Sequence, residues 1–376
     1  MASVARAVPR RKPRGLLPTG TPLRLLDADG RAVPSADLDM PGDEVLLALH
    51  RKMVLARRFD SQATALTRQG RLAVYPSARG QEASEVGAVL ALRPQDWLFP
   101  TYRDSMAVAC RGVDPVEVLT LLRGDWHCGY DPYEYRVAPQ CTPLATNTLH
   151  AVGVAHAAKF KGEDTVALVM LGDGATSEGD THAALNFAAV WQSPVVFFVQ
   201  NNGYAISVPL SKQSAAPSLA HKGIGYGVPA MLIDGNDAAA VYAAVQRAVA
   251  SAAQGGGPTL IEALTYRIEA HTNADDASRY RRQDEVEGWL ARDPVTRISQ
   301  YLIARGLLDE TAVAALNAEA DASAAALRQQ MNADTAHDPA DLFRHVYAEQ
   351  TPALRWQQQE LSAELMAAAD DAEEVR

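Results

Sequence analysis

Short apolar runs alternate with helical stretches through the middle of the chain. The runs at 165–171, 194–200, 229–235 and 259–268 have the length of strands, and the segments between them repeat apolar residues at helical spacing. Strands that are buried on both faces of a parallel sheet read as continuous apolar runs. The pattern therefore predicts an α/β core over about 145–270, built as a parallel sheet flanked by helices.

Helical patterns dominate on both sides of this core. Residues 43–70 repeat apolar positions at helical spacing, begin with two acidic residues and end at a glycine. A shorter helix is predicted over 114–124, with Asp114 as N-cap and Pro115 in the first helical position. The segment 124–139 is rich in aromatic residues, Gly and Pro and has no period, which predicts a loop.

Composition and hydrophobic periodicity along the chain predict three regions. Residues 1–20 are basic and Pro-rich, which predicts a disordered tail. Residues 21–283 are predicted to form an α/β domain with N-terminal helices. From about 284 to 376, Ala, Glu, Gln and Arg dominate at helical periods, which predicts a C-terminal helical extension.

Composition narrows the class of partner. The net charge of −10 argues against nucleic acid or an anionic membrane as the main partner. No run approaches the roughly 20 apolar residues of a membrane span. Cys110, Cys128 and Cys141 are an odd number without metal-ligand spacing, so neither a disulfide framework nor a zinc site is indicated and a cytoplasmic protein is expected.

Polar residues follow two successive apolar runs. Asp173 lies in “GDG” after the first run, and Asn202 lies in “NN” after the next, with 26 residues between the two motifs. Because ligands bind at the carboxyl ends of parallel strands, we expect both side chains to face one crevice. Carboxylate and amide oxygens suit Mg²⁺, and Gly172 and Gly174 leave room for a diphosphate beside a helix N-terminus. Each fragment alone is typical of an ordinary turn, so the prediction rests on the pair.

The same stretch resembles a known signature. “GDG” followed by 26 residues and “NN” is similar to the thiamine diphosphate motif, and the longer stretch 172–207 resembles the alpha subunit of the decarboxylating component of 2-oxo acid dehydrogenase complexes. The resemblance implies the thiamine-diphosphate-binding fold with N-terminal and C-terminal helical extensions. It extends from about Leu23 to Leu365 and includes “GQEASEVGAVLAL” (80–92), “TYRDSM” (101–106), “TPLATN” (142–147) and “IEALTYRIEAHTNADDASRYR” (261–281).

The resemblance implies a cofactor site. By it, Asp173, the side chain of Asn202 and the backbone carbonyl of Tyr204 bind Mg²⁺. The backbone of Gly174 and Ala175 contacts the diphosphate of thiamine diphosphate. The other matched positions are the diphosphate-binding Tyr102, Arg103 and Arg267, and Thr142 and Leu144 in the loop that supports the aminopyrimidine and, in some relatives, a bound potassium ion.

His271 matches the histidine of the family's active-site loop. The resemblance implies that it acts on intermediates near the thiazolium and helps to move the acyl group to a lipoyl arm, since the pKa of an imidazole lies near working pH. One position departs from the pattern: some relatives carry an arginine for the diphosphate where this chain has Gln200. Phosphate binding is therefore expected to rest on Arg103 and Arg267.

The chain lacks a second set of apolar strands. In the superfamily, the glutamate that activates the aminopyrimidine lies on a separate α/β domain, whereas residues 1–140 and 284–376 read mainly as helices and loops. We therefore expect a beta subunit to complete the site in an α₂β₂ heterotetramer. The resemblance also implies contact with the lipoyl domain and the acyltransferase core of the complex.

The substrate is a 2-oxo acid by the same resemblance. Segments such as “TNADDASRYR” look more like the branched-chain type, with 3-methyl-2-oxobutanoate as substrate, than the pyruvate type. A pyruvate dehydrogenase alpha subunit is the alternative, and an acetoin dehydrogenase alpha subunit comes third. A non-catalytic cofactor-binding subunit is the reading from a different class. The acyl pocket is expected to include 72–75 and Thr101.

Overall fold

A parallel sheet forms the centre of the computed structural model, which describes residues 16–125, 127–333 and 338–374. The strands of the described residues are β1 (Trp97–Phe99), β2 (Ala167–Gly172), β3 (Val195–Asn201), β4 (Tyr204–Ala205), β5 (Val208–Pro209), β6 (Ala230–Asp234) and β7 (Thr259–Leu264). Five of them pair in the order β1-β2-β3-β7-β6, all parallel, while β4 and β5 form a small antiparallel hairpin. The predicted parallel sheet flanked by helices is confirmed.

Helices make up most of the remaining described residues. They are α1 (Asp43–Arg68), α2 (Glu82–Leu90), α3 (Ser105–Cys110), α4 (Pro115–Arg123), α5 (Pro132–Tyr135), α6 (Thr146–Lys161), α7 (Gly179–Trp191), α8 (Lys222–Tyr226), α9 (Ala238–Ala253), α10 (Gln283–Leu290), α11 (Pro294–Ala304), α12 (Glu310–Met331), α13 (Asp341–Arg344) and α14 (Pro352–Glu374). The predicted helices over 43–70 and 114–124 correspond to α1 and α4. Asp114 caps α4 by accepting from the Val116 amide, as its position predicts.

The sheet core has two faces. On one face, side chains such as Val169, Phe197 and Val199 pack with buried residues of α6 and α7 in one apolar cluster. Strand residues alternate between faces, so Leu168 and Phe198 point the other way. The helix α9 also contacts β3, β6 and β7, and its residues are absent from that cluster, which assigns it to the second face.

Register brings two strand ends together. Gly172 of β2 lies beside Gln200 of β3, and Asn201 of β3 lies beside Leu264 of β7. Because the strands are parallel, the loops that follow them leave from the same edge of the sheet. The polar residues after β2 and β3 are neighbours for this reason.

Three details differ from the sequence prediction. The short helix α5 (Pro132–Tyr135) lies within the predicted loop 124–139. The strand β1, with three residues, lies in a region that reads as helices and loops, and a run this short carries no detectable period. The strand β7 ends at Leu264, before the end of the predicted run 259–268. Residues beyond Leu264 turn away from the sheet and build the site described below.

By contacts the described residues form two compact units, which divide between residues 328 and 329. In the first, α11 is tied to the sheet by an ion pair of 2.9 Å between Arg297 and Asp234. In the second, Arg344 pairs with Asp338 at 3.2 Å. The boundary at 283–284 stays a prediction. The predicted tail over 1–20 lies mostly outside the described residues, although Leu16 within it is buried. No helix of the described residues is long and apolar enough to cross a membrane.

Candidate active site

A cavity of about 220 Å³ opens at the carboxyl edge of β2 and β3. Residues from distant parts of the chain line it, including nearly all those expected from the sequence. The expected residues on its wall are Tyr102, Arg103, Leu144, Gly172, Asp173, Gly174, Ala175, Asn202, Tyr204, Arg267 and His271. The exception is Thr142, which is exposed and is not part of the wall.

Asp173 begins the turn after β2 and is only 2% exposed. Burial raises the pKa of its carboxyl above the ordinary value. The Nε2 of Gln213 donates to Oδ2 at 2.8 Å. The turn itself differs from expectation: a one-turn 3₁₀ helix, Gly174–Ser177, separates Asp173 from α7. The backbone donors nearest Asp173 therefore belong to this turn and not to the long helix.

Asn202 follows β3 and is 6% exposed. Its Nδ2 donates to the Oε1 of Gln81 at 3.1 Å, and its Oδ1 accepts from the Tyr204 amide at 3.2 Å. The side chain of Tyr204 points elsewhere, because its hydroxyl donates to Glu285 at 2.9 Å. Only the backbone of Tyr204 is therefore free to serve a ligand in the cavity.

Two arginines also line the cavity and are buried. Arg103 is 6% exposed and Arg267 is 2% exposed. Arg103 donates to the carbonyl of Ser77 at 2.8 Å, and Arg267 donates to the carbonyl of Ile206 at 2.9 Å. Burial, together with the charge of Arg103, lowers the pKa of Arg267. Buried cations of this kind are stabilised by an anion, and a bound phosphate group would supply one.

Both guanidinium groups meet at His271. Arg103 Nη2 lies 3.0 Å and Arg267 Nη1 lies 3.2 Å from the Nδ1 of His271. Because a guanidinium can only donate, Nδ1 accepts and the proton of the neutral ring sits on Nε2. Burial and the charges of Arg103 and Arg267 lower the pKa of His271 to about 4. The imidazole is therefore neutral at physiological pH.

The loop after His271 is ordered by its own side chains. Asp275 accepts from the His271 amide at 2.7 Å and from the hydroxyl of Tyr280. Asp276 caps the short turn Ala277–Arg279. His271 lies seven residues after the end of β7, not three after the strand as the longer predicted run implied, so this loop, rather than the strand, positions the ring.

Gln81, Gln213 and Ile206 are among the residues on or beside the cavity wall that were not predicted. Gln81 contacts Asn202, and Gln213 contacts Asp173. Ile206 lines the cavity with a backbone φ of 56°, an unusual value for a β-branched residue. The motif “GQEA” contains Gln81 and could have drawn attention to it, but no local pattern reveals a positive φ. The expected acyl-pocket segment 72–75 does not line the cavity, whereas Thr101 does.

The donor set suits a hard metal ion with a phosphate ligand. Asp173, Asn202 and Tyr204 line the same cavity, and a carboxylate, an amide oxygen and a backbone carbonyl from these residues would leave positions on the metal for phosphate oxygens and water. Among the described residues no three His, Cys, Asp or Glu side chains are grouped to hold a metal by themselves. A Cβ at position 172 would meet no atom within 4 Å, whereas one at 174 would meet Ala205 at 2.7 Å. Gly172 thus leaves open space, and Gly174 lets the β4–β5 hairpin approach.

Comparisons with known proteins agree with this arrangement. A family model described as “Dehydrogenase E1 component” matches residues 50–340. The chain is 47% identical over 361 residues to the “3-methyl-2-oxobutanoate dehydrogenase subunit alpha” of Mycobacterium tuberculosis (strain CDC 1551 / Oshkosh), which covers 94% of this chain and 98% of the relative.

A second group of relatives is less similar. The chain is 39% identical over 289 residues to the “Pyruvate dehydrogenase E1 component subunit alpha” of Staphylococcus aureus (strain COL), which covers 77% of this chain and 78% of the relative. The protein of the same name from Staphylococcus epidermidis gives the same identity and coverage. The family model covers most of the chain, and the relative from Mycobacterium tuberculosis aligns over a larger share of it than the pyruvate dehydrogenase subunits do.

Proposed function

We propose that this chain, which belongs to the dehydrogenase E1 component family, is the alpha subunit of an enzyme that decarboxylates 3-methyl-2-oxobutanoate and related branched-chain 2-oxo acids and passes the acyl group to a lipoyl domain. The observation that carries the proposal is one cavity that joins Asp173 and Asn202 at neighbouring strand ends to two buried arginines. The relative with 47% identity supports the branched-chain substrate.

The residues of the cavity fit thiamine diphosphate with Mg²⁺. Asp173, the Oδ1 of Asn202 and the carbonyl of Tyr204 would hold the metal. The remaining phosphate oxygens would pair with Arg103 and Arg267, whose guanidinium groups bind phosphate in a fork. The cofactor, when bound, supplies the electron sink for decarboxylation.

His271 is the proton-carrying group of the proposed mechanism. Its Nδ1 accepts from the arginines, so its Nε2–H is available to donate to a substrate or acyl oxygen in the cavity. The low pKa of the ring keeps it neutral, which suits a hydrogen-bond donor that does not add a third positive charge. Thr142 and Leu144 lie on the neighbouring loop, where a potassium ion stays a prediction.

A second chain completes the proposed site. The carboxylates on the described cavity wall are those of Asp173 and Glu178, and the first is assigned to the metal. The described residues form a single large parallel sheet, which supports a beta subunit as the source of the missing carboxylate, in an α₂β₂ heterotetramer that works with a lipoyl domain and an acyltransferase core. The three free, partly exposed cysteines suit the reducing cytoplasm.

The test is a substrate panel on the assembled enzyme. The chain is co-expressed with a candidate beta subunit, and CO₂ release and lipoyl acylation are measured with thiamine diphosphate and Mg²⁺. A kcat/KM that is highest for 3-methyl-2-oxobutanoate supports the proposal. Preference for pyruvate, which the relatives at 39% identity suggest, would make the chain a pyruvate dehydrogenase subunit. Cofactor binding without turnover of any 2-oxo acid would favour a non-catalytic subunit.

A further inference from the structure

Four buried side chains form a line of hydrogen bonds behind the cavity. The Nε2 of Gln200 donates to Asp104 Oδ1 at 2.6 Å, and the Nε2 of Gln81 donates to Gln200 Oε1 at 3.0 Å. The Nδ2 of Asn202 then donates to Gln81 Oε1 at 3.1 Å. The exposed fractions are 0% for Asp104, 3% for Gln200, 1% for Gln81 and 6% for Asn202. We call these four residues the amide relay.

The relay has one direction, set at one end by Asp104 and at the other by the Tyr204 amide, which donates to the Oδ1 of Asn202. Both oxygens of Asp104 accept, one from Gln200 and the other from the Thr101 amide at 2.6 Å, so Asp104 presents an acceptor to Gln200. Gln200 must therefore present its NH₂ to Asp104 and its oxygen to Gln81. The same logic turns the NH₂ of Gln81 toward Gln200 and its oxygen toward Asn202.

We propose that Asp104, Gln200 and Gln81 are positioning residues that orient Asn202, so that its Oδ1 and not its NH₂ faces the metal. This inference rests on the proposed metal site. An amide whose NH₂ faced the cation could not bind it, and burial makes the wrong orientation costly because each reversed pair would set two donors or two acceptors against each other.

The relay also gives position 200 a specific requirement. A residue between Asp104 and Gln81 has to donate on one side and accept on the other, and a glutamine amide does both. An arginine, which some relatives carry at this position, can only donate. The departure from the family pattern is therefore linked in this chain to the orientation of Asn202.

The substitution Asp104→Asn tests the direction of the relay with almost no change of shape. The new oxygen would accept from the Thr101 amide, so the new NH₂ would face Gln200 and favour the reverse orientation down the line. Binding of Mn²⁺ to the assembled enzyme with saturating thiamine diphosphate is followed by electron paramagnetic resonance. We expect Mn²⁺ to bind about 10–100-fold more weakly, the usual effect of losing an outer-shell partner.

A second substitution distinguishes orientation from a general structural role. In Asn202→Asp the metal ligand has no NH₂, so in the wild-type relay it would face the oxygen of Gln81. In the reversed relay it would face the NH₂ of Gln81 instead. We expect the double variant Asp104→Asn/Asn202→Asp to bind Mn²⁺ at least about tenfold more tightly than Asp104→Asn alone. Merely additive losses would contradict the relay.

The matched control is Asp237→Asn. Asp237 is also 0% exposed and accepts from backbone amides of Leu25 and Leu26, but it makes no hydrogen bond to a relay member among those described. It should lose stability without a change in Mn²⁺ affinity. If Asp104→Asn fails to assemble, Gln200→Met breaks the line at its centre and should weaken Mn²⁺ binding in the same range.

The outcomes separate the two proposals. Unchanged Mn²⁺ affinity in Asp104→Asn or Gln200→Met, with normal binding by the wild type, overturns the relay and leaves the proposed function intact. No Mn²⁺ binding by the wild type with thiamine diphosphate overturns the metal site and the relay with it. Weakening in Asp104→Asn and recovery in the double variant support both.

Discussion

The metal wall of the cavity consists of Asp173 and Asn202, which follow neighbouring strands and are hydrogen-bonded to the side-chain amides of Gln213 and Gln81. The basic wall consists of Arg103, Arg267 and His271, where both guanidinium groups lie within hydrogen-bond distance of the Nδ1 of His271. The hydrogen-bond partners of the metal wall are neutral, so only a cation is needed to complete that wall. The second wall holds like charges together at a cost, which an anion would remove.

The difference separates two kinds of preparation for a ligand. On the metal wall, Asp173 Oδ2 accepts from Gln213 and Asn202 Oδ1 accepts from the Tyr204 amide, and both residues follow strand ends. The arginines of the basic wall donate to a histidine and to backbone carbonyls, and a bound diphosphate would replace or join these acceptors. A ligand with a cation at one end and phosphates at the other fits both walls at once.

Removing the metal ligand should have the largest effect. Asp173→Asn keeps an acceptor for Gln213 but removes the charge that faces the metal. We expect decarboxylation by the assembled enzyme to fall by about 10³-fold, the equivalent of several kcal/mol. Calorimetry should also fail to detect Mg²⁺-dependent binding of thiamine diphosphate. Asp180→Asn, an exposed carboxylate at the start of α7, is the control and should leave both measurements unchanged.

Breaking the basic wall should have the next largest effect. Arg267→Met removes one fork to the diphosphate, and hydrogen bonds to charged groups contribute about 1.5–3 kcal/mol. We expect thiamine diphosphate to bind about 10–100-fold more weakly by calorimetry. The control Arg79→Met removes an exposed arginine that pairs with Glu269 at 2.9 Å. Equal losses in the two variants would mean that general charge, and not the buried fork, governs binding.

The same contrast explains what the sequence could predict. Asp173 and Asn202 lie within one stretch whose strand and helix periods are clear, so their meeting follows from parallel-sheet geometry alone. Arg103 and Arg267 reach the site from separate segments, and only the family resemblance brought them to attention. Sequence periodicity cannot reveal that a surface-type residue is buried, because burial here depends on tertiary packing.

No local sequence pattern predicted the hydrogen bonds of the amide relay. Gln81 and Gln200 are 119 positions apart, and nothing in either neighbourhood requires an amide. The strand β1 was missed because three residues carry no period, and His271 was placed too close to the sheet because the apolar run continues past the strand. Each failure concerns a long-range contact or a chain direction that tertiary structure decides.

Protonation of His271 gives a smaller effect with a definite sign. The folded ring has a pKa of about 4, whereas the ordinary value is 6.5. Between these values the unfolded chain binds the proton and the folded chain does not, so the free energy of unfolding should fall as the pH drops from 6.5 to 4. His271→Gln should make the ligand-free protein less sensitive to acid in this window, measured by denaturant unfolding.

Binding of the diphosphate should reverse that shift. Phosphate oxygens neutralise the two arginines, so the pKa of His271 should rise toward its ordinary value and the protein should take up protons. Calorimetry at about pH 5.5 in two buffers of different ionisation enthalpy measures this uptake. His271→Gln corrects for protons released by the cofactor itself. Equal proton uptake in the wild type and the variant would show that the basic wall does not hold the histidine neutral.

The smallest expected effect concerns the backbone at Ile206. Ile206 has a φ of 56° and is 56% exposed, yet it lines the cavity. A left-handed backbone destabilises a residue with a Cβ by about 1–2 kcal/mol. Glycine avoids this strain, but its greater freedom in the unfolded chain offsets about 0.5–1 kcal/mol of the gain. Ile206→Gly should therefore raise the free energy of unfolding of the ligand-free protein by up to about 1 kcal/mol.

The same variant should bind thiamine diphosphate a few-fold more weakly, since it loses apolar contact area in the cavity. The control is Gln192→Gly, which has a φ of 49° at the end of α7 and does not line the cavity. Gln192→Gly should also gain free energy of unfolding from relieved backbone strain, reduced by the loss of the hydrogen bond from the side chain to Ala189. Its affinity for the cofactor should not change. If Ile206→Gly and Gln192→Gly bind thiamine diphosphate with equal affinity, the backbone strain at Ile206 does not serve cofactor binding, and the residue is not part of the cofactor site.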